Sequence, residues 1–318
     1  MKKLAYIFLP LLALTLLFGC GAEKKKKREE RELKVDYSLE QMLLIGFSQR
    51  KQVEEVYTEK IWEVKMDEEG RTYREVFAEE MKHFFVYLKV LNEMADSRGI
   101  ALDEEESEKI EKLSESVYQS LPKDAKLLEK LEEEEIREIF TQYALAQKLR
   151  NSLIEVKDLE VSENEARVMQ LERIILDDKE TADQVLFEVN AEGTDFYNIA
   201  RLRSTNKEII LKVGHEDLPE TADQAVSLLG DGEISGIIKI DGQYHIYKCV
   251  IGYDEKATAE KKALLEKNKK DEVLKKAYEE YTADMKISMD GEVWERFIEN
   301  IDFSYEGKDF FQAYKEAF

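Results

Sequence analysis

His245, one of three histidines in 318 residues, sits in the stretch GEISGIIKIDGQYHIYK, residues 232–248. The alternation of apolar and polar positions there predicts strand, and Asp241-Gly242 predicts a type I′ hairpin turn. An imidazole so placed can hold or transfer a proton near neutral pH. With a second His or Cys at ligand spacing it could bind a metal. Tyr247 and Cys249 alternate with it along the same strand, which predicts a buried thiol rather than a reactive one. His83 lies beside Phe84 and Phe85 with no second His or Cys at ligand spacing, so it reads as structural. GDGEISG has neither the dinucleotide-binding spacing nor a helix after it, and DDKETADQVLFE lacks glycine at the sixth position of a calcium loop. No P-loop, HExxH or GxSxG element is present. Neither a metal nor a cofactor is expected.

The elements that must position His245 run from Arg167 to Tyr253. VMQLERIIL predicts a buried strand. ETADQVLFEVNAEG predicts a helix with Ala182, Val185, Leu186 and Val189 on one face and Gly193 as its stop. TDFYNIARLRS predicts a short helix capped by Thr194, EIILKVG a strand, and ADQAVSLL another helix. With the hairpin, this order predicts an α+β unit whose antiparallel sheet is flanked by helices.

Helix surrounds that unit on both sides. SLEQ at Ser38 has capping-box spacing. Phe77, Met81, Phe84, Leu88, Leu91 and Ala95 step by four and three, with Gly99 as the stop. Asp103 with Glu106 opens a second helix, which LPKD at 121–124 interrupts. A third carries Ile136, Ile139, Phe140, Tyr143 and Leu149. The EEEE run at 132–135 reads as a solvated helix start that complements the dipole. After Tyr253 helix is expected to about Lys286. The tail then brings Trp294, Phe297, Phe303, Phe310, Phe311 and Tyr314, more aromatic surface than a free tail leaves in water. It is expected to pack back on the N-terminal helices, giving one discontinuous domain. The expected bounds are 37–165 for the N-terminal helices, 166–253 for the sheet unit and 254–318 for the C-terminal segment.

The length favours two or more units. A net charge of -22 would repel phosphate backbones, so no nucleic-acid partner is expected. A hydrophobic share of 43% supplies a core, and only three prolines favour helix. Lys2 and Lys3 precede an apolar run from Leu4 to Phe18, broken by Pro10 and shorter than a spanning helix needs. Residues 1–19 therefore read as a signal peptide. Leu17, Phe18, Gly19 and Cys20 resemble the lipobox of bacterial lipoproteins. The resemblance implies cleavage before Cys20, lipidation of its sulfur and anchoring at the outer face of the cytoplasmic membrane. Two acyl chains would make that anchor stable. An ordinary secretory signal with a chance cysteine is the alternative. Residues 20–36, AEKKKKREERELK among them, read as a charged tether whose lysines lie near anionic lipid.

ERIIL, ETADQVLFEVNAEGTDFYNIARLRS, GEIS and GQYHIYK, in that order, resemble the parvulin family of peptidyl-prolyl isomerases. With the lipobox and the flanking helices, the chain as a whole resembles PrsA-type foldases of bacterial envelopes, and its N-terminal helices resemble, more loosely, the SurA-type chaperone domain. An X-Pro bond rotates over a barrier of ~18–20 kcal/mol. Catalysing that rotation takes no nucleophile and no metal, only an apolar slot and a site that favours the twisted amide. The resemblance implies that His245 matches the second of two facing histidines and that Leu218 lines the proline slot. Arg173 stands where the first histidine is expected, Asn206 where the family has Asp or Cys, and Ala222 where it has a slot Phe. An arginine stays charged and cannot share a proton with His245.

Two readings stay open. In one, the protein is an ATP-independent, membrane-anchored chaperone or foldase for unfolded, newly secreted polypeptides. Trp62, Phe77, Phe84, Phe85, Trp294 and Phe297 would offer apolar contacts to clients, although most of them read as core and for any one taken singly the core reading wins. In the other, the protein is an active parvulin-type peptidyl-prolyl isomerase using His245 with Leu218. A blander third possibility is a structural helical dimer without clients. The sequence names no client and no oligomeric state.

Overall fold

The computed structural model of the protein describes residues 31–122, 126–302 and 305–318. Cys20, residues 1–19, the first part of the 20–36 stretch, residues 123 and 124 of LPKD, and Phe303 lie outside the described residues. The chain opens with β1 (Arg31–Val35), α1 (Leu39–Val56), α2 (Tyr73–Ser97), α3 (Glu104–Gln119) and α4 (Glu133–Glu155). The middle supplies α5 (Glu163–Ala166), β2 (Val168–Leu176), α6 (Lys179–Val189), α7 (Phe196–Arg203), β3 (Ile210–Gly214), α8 (Glu220–Val226), β4 (Ile238–Ile240) and β5 (Gln243–Ile251). The chain closes with α9 (Glu255–Thr282), β6 (Met285–Met289), α10 (Gly291–Asn300) and α11 (Phe310–Ala317). The fold is α+β. Residues up to Lys157 and Asp271–Phe318 form one compact body, and Asp158–Lys270 form a second, inserted between them.

Local chemistry sets the helix starts of the body. Ser38, Thr72 and Asp103 each close a capping box with the Gln or Glu three residues on, satisfying N–H groups that a helix start leaves unpaired. Within the EEEE run, the Glu132 N–H donates to the Glu135 carboxylate at 3.0 Å. Those charges thus serve the start of α4.

The C-terminal segment completes the core of this body. Phe310 stacks on Phe140 with ring centroids 4.0 Å apart. Phe311 meets Phe84 edge-on at 5.9 Å and Phe297 meets Phe85 edge-on at 6.0 Å. Gly46 of α1 allows the approach of α10: a Cβ there would lie 2.8 Å from Cε2 of Phe297.

Two expectations are corrected in this body. Arg31–Val35, inside the expected tether, is a strand, paired in parallel with β6 from Arg31↔Met285 to Val35↔Met289. Leu33 and Val35 alternate with charged residues and are buried, but two apolar positions in a charged run are too few to signal a strand. For the same reason the helix expected to reach Lys286 stops at Thr282. Met285, Ile287 and Met289 then alternate as β6.

In the inserted unit the sheet order is β3-β2-β5-β4, antiparallel throughout. On one face Ile174, Leu176 and Ile246 pack with Ala182 and Val185 of α6 and Phe196 and Ile199 of α7. On the other, Met169, Leu171, Tyr247 and Cys249 pack with Ala222 and Val226 of α8. Asp241 and Gly242 both take left-handed φ, 47° and 88°, as a type I′ turn requires. The cap of α7 is Asp195 rather than Thr194, because its carboxylate accepts from both Tyr197 N and Asn198 N, at 3.0 and 3.3 Å. An ionised acceptor at a helix start also gains from the dipole.

Candidate functional site

Register places the candidate residues. β2 and β5 pair Arg173 with Tyr247 and Ile175 with His245. Side chains alternate between faces of a sheet, so these four share one face, with Leu171 and Cys249 further along it. His245 is 7% exposed and Tyr247 1%. Nδ1 of His245 lies 3.1 Å from the Tyr247 hydroxyl, so one ring nitrogen is already engaged inside the protein.

Arg173 lies beside this pair. Its Nη2 donates to the Glu208 carbonyl at 3.3 Å and reaches the Glu208 carboxylate at 3.5 Å, while its Nε is buried without a hydrogen bond. Burial lowers the His245 pKa, and the Arg173 charge lowers it further. Burial raises that of Tyr247, with Arg173 opposing. Both effects on His245 disfavour the imidazolium, so the site holds a neutral imidazole next to a fixed cation.

The other candidates fall into two groups. Ala222 is fully buried in α8 and Leu218 is half-buried just before it. Both belong to the apolar cluster that contains Tyr247, Met169 and Val213. Asn206 is exposed, and its Oδ1 accepts the Glu208 N–H at 2.8 Å, so the side chain shapes its own loop. The structure brings Arg173, His245 and Tyr247 together, sets Leu218 and Ala222 in the adjoining cluster, and leaves Asn206 in a solvated turn.

Two contributions escape a reading of the sequence. Tyr247 binds the ring of His245, which the two-residue spacing on one strand could have signalled. Ser204 and Thr205 clasp the strand opposite His245. Ser204 Oγ accepts the Ile175 N–H at 3.0 Å, and Thr205 N donates to the Ile175 carbonyl at 2.9 Å. No local pattern marks that clasp.

The aromatics suggested as client contacts are corrected. Trp62, Phe77, Phe84, Phe85 and Phe297 are core, between 0 and 5% exposed. Only Trp294 is half-exposed. It lines a cleft of about 560 Å³ between α2 and α10, with Ala78, Lys82 and Ile298. No described helix is long and apolar enough to cross a membrane.

An α+β sheet unit with this histidine face, inserted in a discontinuous helical body, is the class of architecture the coordinates define. No protein-family model matches the chain. It is 27% identical over 267 residues to the foldase protein PrsA of Caldanaerobacter subterraneus subsp. tengcongensis, covering 77% of this chain and 78% of that one. It is 33% identical over 103 residues to the foldase protein PrsA 1 of Streptococcus pyogenes serotype M3, where the match spans 31% of this chain and only 29% of that relative's length. Among solved structures, the peptidylprolyl isomerase PrsA of Bacillus cereus matches at 18% identity and TM-score 0.32, over 79% of this chain and 96% of that one. In sequence the chain is thus similar to PrsA-type foldases.

Proposed function

We propose that the protein is an extracytoplasmic foldase, anchored through a lipidated Cys20, that acts chiefly by holding unfolded secreted polypeptides. The observation that carries this reading is the cleft of about 560 Å³ between α2 and α10. Trp294 and Ile298 give it an apolar wall, and the Lys82 ammonium lies 5.6 Å from the Trp294 ring. A half-exposed indole with a charged rim suits varied apolar segments, since an aromatic contributes large contact area at little entropic cost. The net charge of -22 keeps such a surface soluble and favours basic clients. The curated relatives carry the name foldase, which accords with this role.

Isomerase activity is weak or lost on this reading. The Arg173 guanidinium cannot exchange a proton with His245, Tyr247 occupies one nitrogen of that imidazole, and Ala222 offers no aromatic wall to a proline ring. The second reading, an active peptidyl-prolyl isomerase, draws on one observation: His245 stands on the same sheet face as Arg173, two residues along β5 from the Tyr247 that Arg173 pairs with.

Two assays separate the readings. Aggregation of a reduced, denatured client is followed with and without the chain and its Trp294→Ala variant. Suppression that the variant loses supports the holding function, and a wild-type chain that leaves aggregation unchanged overturns it. Isomerisation of a proline tetrapeptide is measured alongside. Acceleration that disappears in His245→Ala would establish the enzyme reading instead.

A further inference from the structure

In the helical body β6 pairs with β1 and with no other strand. A parallel ladder this small is unusual, because parallel strands are normally covered by further strands and helices. The two strands differ in cover. Leu33 and Val35 of β1 are buried. No residue of β6 is: Met285, Ile287 and Met289 are half-buried against the core of the body, and Lys286 and Ser288 are exposed. β6 therefore carries an open edge.

Register fixes which backbone groups that edge presents. The Arg31 N–H donates to the Asp284 carbonyl at 2.9 Å, with Arg31 opposite Met285. In a parallel ladder a residue bonds the two neighbours of the residue it faces, and the pattern repeats every second position. Arg31, Leu33 and Val35 thus bond along Asp284, Lys286, Ser288 and Asp290. The N–H and C=O groups of Met285, Ile287 and Met289 turn away from β1. Among the described residues no backbone group outside the ladder bonds to them. The edge joins unpaired amides to a flank of Met, Ile and Met side chains.

We infer that β6 takes an extended segment of a client polypeptide as a third strand. The client's main chain bonds the amides of Met285, Ile287 and Met289. Its alternate apolar side chains lie beside those three, and its polar ones lie beside Lys286 and Ser288, toward water. Main-chain bonding is indifferent to sequence and selects for state, since an unfolded chain has amides free that a folded one has already paired. Thioether side chains adapt to differing neighbours. A second copy is the poorer occupant. β6 laid antiparallel on β6 over its full length would set Asp284 against Asp290 at each end, where Arg31 answers only the Asp284 carboxylate, and would bring together two chains of net charge -22. The inference rests on the reading that the protein binds polypeptide, and it adds a backbone contact to the side-chain contact of the Trp294 cleft.

The test uses the full chain and the peptide lysyl-valyl-threonyl-valyl-threonyl-valyl-lysine, blocked at both ends. The peptide should bind and slow hydrogen exchange at the amides of Met285, Ile287 and Met289. Two N-methylated versions separate backbone pairing from apolar adhesion, one methylated on the valine nitrogens and the other on the threonine nitrogens. Only one of these sets faces β6. One version should therefore lose about 10-fold or more in affinity, the value of more than one hydrogen bond, while the other stays close to the parent. Equal binding of the two versions overturns the inference, as does peptide binding that leaves exchange along β6 unchanged. A peptide of residues 284–290 of this chain, DMKISMD, binding more tightly than the valine peptide would overturn the client assignment in favour of a second copy. Suppression of client aggregation is measured on the same samples. If it persists while the valine peptide fails to bind, only the strand addition falls and the holding function stands.

Discussion

Nδ1 of His245 and the hydroxyl of Tyr247, two residues apart on β5, lie 3.1 Å from each other. Across the ladder Tyr247 faces Arg173. The imidazole is thereby held by a neutral partner, while a charged one disfavours its protonated form.

Arg173→Met should raise the His245 pKa, since the guanidinium is one of the two influences that lower it, after burial. Imidazole proton shifts followed against pH would report this. A titration unmoved by the substitution would mean that burial alone sets the value.

The same lowered pKa fixes a sign for stability. Denatured chains hold histidine near its ordinary value of about 6.5, above the folded value, so the unfolded state takes up the proton first. The contribution of His245 is therefore fully present above about pH 6.5 and is lost as pH falls through the folded value. Urea midpoints of wild type and His245→Gln should converge over that fall. Curves that stay parallel would remove the linkage.

Gly46→Ala tests the close approach of α10. Helix propensity alone favours alanine by about 1 kcal/mol, but the new methyl would meet the Phe297 ring at 2.8 Å. Overpacking of a filled core costs about 1–3 kcal/mol, so the variant should lose stability in a denaturant melt, and adding Phe297→Leu should restore part of the loss. A more stable Gly46→Ala protein would show that the core has room.

Asp309 caps α11, accepting the Gln312 N–H at 2.7 Å and the Gln52 amide at 3.0 Å, while its Oδ2 is buried without a partner. Burial raises its pKa, opposed by those bonds and by the Lys51 charge. A carboxyl with a raised folded value stabilises most below its unfolded value, about 3.9, and loses that contribution as pH rises through the folded one. Asp309→Asn keeps a good cap and removes the ionisation. The variant should match or exceed wild-type stability at pH 7 and lose this part of the pH dependence, read from thermal melts between pH 4 and 8. A variant less stable at every pH would mean that the ionised cap is worth more than its burial costs.

Much of this architecture was legible because its signals are local. Ser38 and Asp103 announce their helices through side chains that bond within one turn, and Asp241-Gly242 announces its hairpin through φ values few other residues adopt. β1 and β6 were not legible, since each becomes a strand only by meeting the other at the opposite end of the sequence. Aromatic content foretold burial somewhere, but only packing separates Trp294 from Phe297, three residues on and wholly enclosed. At the site, His245 stood out as a residue type. Its partnership with Tyr247 was implicit in strand alternation, whereas the Ser204 and Thr205 clasp depends on how a loop folds over a neighbouring strand.

The pairing of β1 with β6 has a consequence for how the protein itself is made. A ribosome delivers Arg31–Val35 long before Met285–Met289, so the ladder cannot zip until the chain between them has been made. Phe297 and Phe310 arrive later still. On the proposed extracytoplasmic reading, a molecule that shelters unfinished chains is itself exported with its own interior open.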